Sequence, residues 1–374
     1  MNEITRLGGV ISGERFMELA LYHGEHGYYQ KMRGPLGREG DYVTAPVMTS
    51  LFGELLALQL IEVWELMGAP DTFVLIEAGP GTGHLAEDIL RTAKKFPPFN
   101  RVVDYRLVEQ SPPLRRMQQQ RLAQAGMMDR CSWFATLQEA AGEGIEGAIF
   151  GNEFLDALPV RWLEMTKGGL VEVGVEVTAA GALTTCHLPL GAGIAHDHFT
   201  GLGVDLPVGM RTELGLQARE WMRLAGRLMR RGMVLMIDYG YTAREYYHPE
   251  RMQGTLVGHS RHRRIDDPLS APGEMDLTSH VEFSAMARSG ASGGLDPAGY
   301  THQGWFLMGL GLLERIEGVM RREGMSLARE LQQTAMRLIL PGEMGDRFKV
   351  LAMTAGMNCP QLSGYRLNNQ WDAL

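Results

Sequence analysis

Cysteine is scarce. Only three occur in 374 residues, at positions 131, 186 and 359. An odd number, widely spaced and in no metal-type pattern, excludes a disulfide framework and a thiolate metal cluster, and leaves three reduced thiols. Long apolar runs are missing too. None approaches the ~18 residues of a membrane span, so no membrane insertion is expected. Basic charge is outweighed, with 36 Lys and Arg against 44 Asp and Glu, a net charge of -8. No global positive field therefore recruits nucleic acid. The opening Met-Asn-Glu-Ile-Thr-Arg has neither the apolar core of a secretory signal nor the acid-poor character of a transit peptide. Internal repeats and low-complexity tracts are absent. What remains, 45% hydrophobic and 21% charged, is ordinary for a globular protein, here expected to be cytoplasmic.

The chain is organised around residues 73–91. Phe73 to Ile76 is a short apolar run of buried-strand type, Glu77 ends it, and Gly79, Gly81 and Gly83 follow at alternate positions. Leu85, Ile89 and Leu90 then fall at helical spacing. Strand, glycine turn and helix form the first unit of a nucleotide-type α/β fold, in which glycines let the backbone approach a ligand closely. A dinucleotide fingerprint would need Gly or Ala where His84 stands. The spacing Glu-x-Gly-x-Gly-x-Gly instead resembles motif I of class I S-adenosyl-L-methionine methyltransferases. A dehydrogenase is disfavoured on the same ground.

Further along, Tyr105–Glu109 reads as a second strand ending in an acid, a position suited to binding both ribose hydroxyls. Cys131–Phe134 reads as a third, with Phe134 or Thr136 bordering the adenine. The run 147–153 is a fourth, ending in Asn152 and Glu153, with Asp156 and Pro159 behind it. Residues 159–207 break the α/β rhythm and alternate as an inserted β-meander. A helix over 213–231, a fifth strand over 233–240 ending in Asp238, a helix over 277–288 that Asp276 and His280 would cap, a helix over 326–340 and a last strand over 348–353 complete the reading. His196, Asp197 and His198 form a polar loop with no further ligand in range, so no metal site is expected. The basic run Arg261, His262, Arg263, Arg264 is either a solvated loop or a surface that steers an acidic partner. The last twenty residues look peripheral.

The segments Phe16–Tyr22, Gly27–Tyr29, Gly40–Pro46 and Phe52–Leu55, followed by Asn152–Pro159, Ile237–Gly240, Asp276–Phe283 and Thr301–Leu310, together resemble the MidA-like methyltransferases over about residues 10–355. That family's mitochondrial members are protein arginine methyltransferases that assist respiratory complex I assembly. The resemblance implies a class I methyltransferase fold, Rossmann-like with a seven-stranded sheet. It divides the chain into a helical N-terminal lid (1–68), the cofactor half of the core (69–158), the inserted β-rich part (159–210), the rest of the core (211–355) and a tail (356–374). It implies S-adenosyl-L-methionine as cofactor, with S-adenosylhomocysteine as product, held by Glu77, Gly79, Gly81, Gly83, Glu109 and Asn152. Glu153 and Asp156 would clamp the acceptor, with Asp238, Asp276 and His280 nearby. A planar guanidinium with several N–H donors suits two carboxylates. The expected partner is a protein, a complex I subunit among the candidates, and the meander offers a surface for a homodimer or for docking. Two positions depart from the family pattern: Val47 stands for an acid and Thr82 for an arginine. A small-molecule methyltransferase, and an assembly protein that binds the cofactor without turnover, remain open alternatives.

Overall fold

The computed structural model describes residues 1–31, 45–191, 198–199, 201–260, 263–323, 325–358 and 360–374. Positions 40–44 of the Gly40–Pro46 segment, His196, Asp197, Arg261, His262 and Cys359 lie outside them.

The main sheet contains β1 (Phe73–Ala78), β2 (Val103–Val108), β3 (Cys131–Phe134), β4 (Ile145–Asn152), β5 (Met229–Tyr241), β6 (Asp296–His302) and β7 (Phe348–Ala355). Their order is β6-β7-β5-β4-β1-β2-β3. β1 to β5 run parallel, and β7 lies antiparallel between β5 and β6. The strand order reverses at β1 and β4, which pair directly, and ligands of open α/β sheets sit at such a switch point, beyond the C-terminal strand ends.

Alternation along each strand feeds two separate cores. Leu75, Phe150, Leu235 and Val350 face one. Ile76, Ile149, Val234 and Leu351 face the other. Helices cover both faces, which is why the strands read as continuous apolar runs. The seven that matter here are α1 (Gly13–Tyr22), α2 (Tyr28–Lys31), α3 (Ser50–Leu66), α4 (His84–Ala93), α5 (Pro112–Gln124), α6 (Leu216–Leu228) and α7 (Phe283–Ser292). On the first face α3 is apolar almost all round because it is buried among the sheet, α4 and the C-terminal helices. Gly53 allows the approach, since a Cβ there would stand 2.5 Å from that of Asp88. On the second face α6 and α7 place Met222 and Met286 in the core.

The meander strands Arg161–Thr166, Gly169–Val177 and Leu183–Leu188 pair antiparallel as read from their alternation. Two strands join them from elsewhere. Val10–Ser12 adds to one edge, so the N-terminus is woven into the insertion, and Ser12 caps α1 through the N–H of Arg15.

The second added strand corrects the reading of 213–231 as one helix. Arg211–Leu214 is a strand paired with Arg161–Thr166. Its Glu213 is buried, and accepts hydrogen bonds from the Thr255 backbone and hydroxyl and from Tyr246 Oη. Likewise Asp276–Thr278 is a strand, in a small sheet with Val257–Ser260 and Arg263–Ile265. The following helix begins only at Phe283, capped by the Glu282 carboxylate on the Ala285 N–H, so Asp276 and His280 cap nothing. The tail is not peripheral in its packing. Leu362 and Tyr365 are buried, and the N–H of Gln370 donates to the Tyr300 carbonyl.

Candidate active site

Three glycines shape one wall. Gly79, Gly81 and Gly83 have φ of 62, 52 and 80°, conformations a side chain would strain. At Gly79 a Cβ would also meet the Phe154 ring at 2.8 Å. The departure at Thr82 is absorbed locally. Its hydroxyl pairs with His84 Nδ1, and the arginine reaching this turn is Arg121 of α5, whose Nε donates to the Thr82 carbonyl at 3.0 Å.

Two acids stand at neighbouring strand ends. Glu77 closes β1 and accepts from Tyr105 Oη at 2.6 Å. Glu109 follows β2 and accepts from the Ser111 N–H at 2.7 Å and from Gln118 Nε2 at 3.3 Å. Burial pushes each carboxyl up to about 7 against those bonds. Asn152 ends β4. Its Nδ2 donates to Glu153 Oε1, and its buried Oδ1 has no hydrogen-bond partner among the described residues.

The opposite wall is anionic. Glu153 sits at φ 55°, a left-handed position that costs a non-glycine residue roughly 1–2 kcal/mol. The chain pays that cost to turn sharply off β4 into residues 154–158. Asp238, at the end of β5, secures the turn by accepting the N–H groups of Phe154, Leu155 and Asp156 through one oxygen. Asp156 is 4% exposed, and its Oδ1 has no hydrogen-bond partner among the described residues. Burial first, then the charges of Asp238 and Asp276, hold its carboxyl well above the usual carboxylate range. The N-terminal helices bring two stacked tyrosines over this wall, ring centroids 5.5 Å apart. Tyr22 Oη donates to the Ala157 carbonyl at 2.9 Å, and Tyr29 Oη to Asp276 Oδ1 at 2.8 Å.

Between the walls lies a cavity of about 570 Å³, within the range of small-molecule sites. Of the residues singled out from the sequence, Glu77, Gly79, Gly81, Glu109 and Asn152 line it on one side. Glu153, Asp156 and Asp276 line it on the other. Three do not. Gly83 packs instead against Gln118 of α5. Asp238 stands behind the wall and supports it. His280 lies beyond the cavity, its ring beside Tyr239 and Tyr241, and burial lowers it to about 4, so it is a neutral imidazole remote from the acceptor wall. Thr136, Leu137, Phe154 and Trp221 line the sheet-side end, whereas Phe134 does not. Tyr22, Tyr29 and Val47 also line it. The two tyrosines carried a sequence signal, since both fall in segments of the N-terminal signature. Gln118 and Trp221 carried none, because their use depends on helix packing.

Comparisons with known proteins agree with this geometry. Residues 55–301 match the family model described as "Putative S-adenosyl-L-methionine-dependent methyltransferase". The mitochondrial protein arginine methyltransferase NDUFAF7 homologue of Drosophila melanogaster is 30% identical over 96% of this chain and 84% of its own. The Bos taurus protein of the same name is 30% identical over 92% and 80%. A Burkholderia thailandensis protein crystallised with S-adenosyl-homocysteine superposes with a TM-score of 0.90, at 33% identity, over all of this chain and 95% of that one.

Proposed function

The chain belongs to the S-adenosyl-L-methionine-dependent methyltransferase family, and we propose that its acceptor is the arginine guanidinium of a protein. The residues present fit the cofactor. Two carboxylates at adjacent strand ends, a glycine turn whose Gly81 Cβ would meet nothing within 4 Å, and the unpartnered Asn152 Oδ1 form one continuous polar wall. Glu109 would take the ribose hydroxyls, and Glu77, Asn152 and the glycine turn the amino-acid end. When bound, S-adenosyl-L-methionine supplies an electrophilic methyl group.

The observation that carries the arginine reading is the acceptor wall. Glu153, Asp156 and Asp276 converge in a half-closed space under two tyrosines. Carboxylates crowded in this way are costly unless a cation joins them, and a cation opposes the upward push on the Asp156 carboxyl. A guanidinium offers a permanent charge and several N–H donors in one plane. Glu153 and Asp156 would hold that plane and aim one nitrogen. Such positioning can contribute ~7–11 kcal/mol to a bimolecular displacement. Asp156 Oδ1, ionised beside the cation and with no hydrogen-bond partner among the described residues, would take up the proton that the nitrogen gives up. Asp238 acts behind them, as a positioning residue. The relatives named protein arginine methyltransferases support this reading at about 30% identity. The family resemblance further points to a respiratory complex I subunit as the protein.

The test is transfer of labelled methyl from S-adenosyl-L-methionine into proteins of a cell extract, followed by hydrolysis and identification of the labelled amino acid. Methylarginine is expected, on a complex I subunit, with the rate reduced roughly a hundredfold or more in Glu153→Gln and Asp156→Asn. Label on another residue type, or only on a small molecule, would refute the arginine reading. Cofactor binding with no transfer to any acceptor would favour a scaffold role.

A further inference from the structure

Helix α5 turns one glutamine towards the cavity wall, where it meets both the glycine turn and Glu109. Gln118 is fully buried. Trp133 Nε1, which can only donate, lies 2.9 Å from Gln118 Oε1 and so fixes which end of the amide is which. The NH₂ group therefore faces the other way. There it donates to the Gly81 carbonyl at 2.8 Å and to Glu109 Oε2 at 3.3 Å. Gly83 packs beside it, at a φ of 80° that favours glycine. One side chain thus joins β3, the glycine turn and the acid after β2.

Glu109 has few other supports. The Gln118 bond is its one side-chain hydrogen bond among the described residues; the N–H groups of Ser111 and Gln110 supply the others, from backbone. The charged and titratable groups facing it are Arg115 of α5 and the Tyr22 hydroxyl of α1. Arg115 spends its Nε on the Glu109 carbonyl, not the carboxylate, at 2.6 Å. Tyr22 spends its hydroxyl on Ala157.

We propose that Gln118 is a positioning residue for cofactor binding, whose amide holds the Glu109 carboxylate ionised and aimed into the cavity while it ties down the glycine turn. The inference rests on reading Glu109 as the acceptor of the ribose hydroxyls. A donor to the ionised form favours that form, so removing it drives the carboxyl towards protonation. A protonated Glu109 loses half its capacity to accept from a vicinal diol.

The experiment is calorimetric titration of the full chain with S-adenosylhomocysteine from pH 5.5 to 9, for wild type, Gln118→Met and Glu109→Gln. Circular dichroism and thermal melting confirm that each is folded. Wild-type affinity should decline as pH falls through about 7, where the Glu109 carboxyl titrates. In Gln118→Met the decline should begin at higher pH, giving a loss of about tenfold at pH 7 for each unit of displacement, and the gap should narrow by pH 9. A loss that is the same at every pH would mean that Gln118 merely packs, and an unmoved profile that it does nothing; either overturns the proposal. Glu109→Gln should bind weakly and keep only the part of the pH dependence that Glu77, also raised to about 7, supplies. If it keeps the wild-type profile, the reading of Glu109 itself falls, and the inference with it. Should Gln118→Met not fold, Trp133→Phe releases the amide to rotate and must move the profile in the same direction.

Discussion

Glu153 is held in a left-handed backbone conformation between Asn152, which bonds to it, and a turn that Asp238 fastens from behind. Strain at a non-glycine residue persists where the surrounding structure over-determines it, and here the strained residue is also one whose carboxylate lines the cavity. Glu153→Gly separates the two demands. Relief of roughly 1–2 kcal/mol is offset in part by the chain entropy of glycine, so stability should be unchanged or raised by up to about 1 kcal/mol. Methyl transfer should fall at least tenfold. Chemical denaturation beside a transfer assay checks both, and a variant that is less stable yet fully active would contradict the clamp. Asp238 should behave in the opposite way. Asp238→Ala strands four backbone N–H groups, of Phe154, Leu155, Asp156 and Tyr239, and is expected to cost about 3 kcal/mol or more, whereas Asp238→Asn keeps an acceptor and should cost less. Activity would fall in proportion to the disorder of the turn. The acids Glu77 and Glu109 were legible in the sequence because a carboxylate closing an apolar strand must emerge at the sheet's C-terminal edge. Asp238 closes a strand in the same way, yet it bonds a neighbouring loop, and only the pairing of β4 with β5 decides that.

At the level of elements, β1 to β5, β7 and the glycine turn were legible because their apolar runs are short and bounded by turn residues, whereas Asp296–His302 carries no such run and reads as a flexible stretch. Boundaries failed where tertiary partners overrode local pattern. The strand Arg211–Leu214 looked like the first turn of α6 until Glu213 is seen to serve Thr255 and Tyr246. The resemblance implied a helical N-terminal lid, but neither the short helix Tyr28–Lys31 nor its contacts were legible. Tyr29 joins three parts of the site. Its hydroxyl donates to Asp276, its carbonyl accepts from Ser111 Oγ at 2.6 Å, and its ring stacks on Tyr22. Tyr29→Phe removes only the first of these. The expected outcome is a destabilisation of about 1 kcal/mol and a rise in the KM for the acceptor, with cofactor affinity within about threefold of wild type. Paired acceptor kinetics and cofactor titration check this; an equal loss in both would mean that the tyrosine supports the fold of the whole site.

Taken as a whole, the molecule carries more buried carboxyl groups than burial of an α/β core would call for, and this sets its response to pH. Burial raises Glu77, Asp88, Glu109 and Glu282 to about 7, and Asp238 to about 8. Each binds its proton more tightly when folded than when unfolded, where an acid titrates near 4. The stability they give is therefore complete below about pH 4 and is lost as pH rises through 7 to 8. Five histidines act in the opposite sense, with His259 and His302 also lowered by burial. His84, His198 and His280 are lowered to about 4, 3 and 4, so their contribution is present above 6.5 and is lost as pH falls. Between 6.5 and 8 the histidine contribution is nearing completion, and the loss from the carboxyls is the larger change. The cofactor-free protein should therefore melt at a lower temperature at pH 8 than at pH 6.5. The same ionisation readies Glu109 to accept hydrogen bonds from the ribose. Stabilisation by a ligand grows as RT ln(1 + [L]/Kd), so the rise in melting temperature at a fixed excess of S-adenosylhomocysteine should be larger at pH 8 than at pH 6.5. Thermal melts at the two values, with and without the ligand, separate the predictions. A free protein more stable at pH 8 would show that the buried acids are ionised throughout. A ligand shift that does not grow with pH would show that the group titrating near 7 does not touch the cofactor.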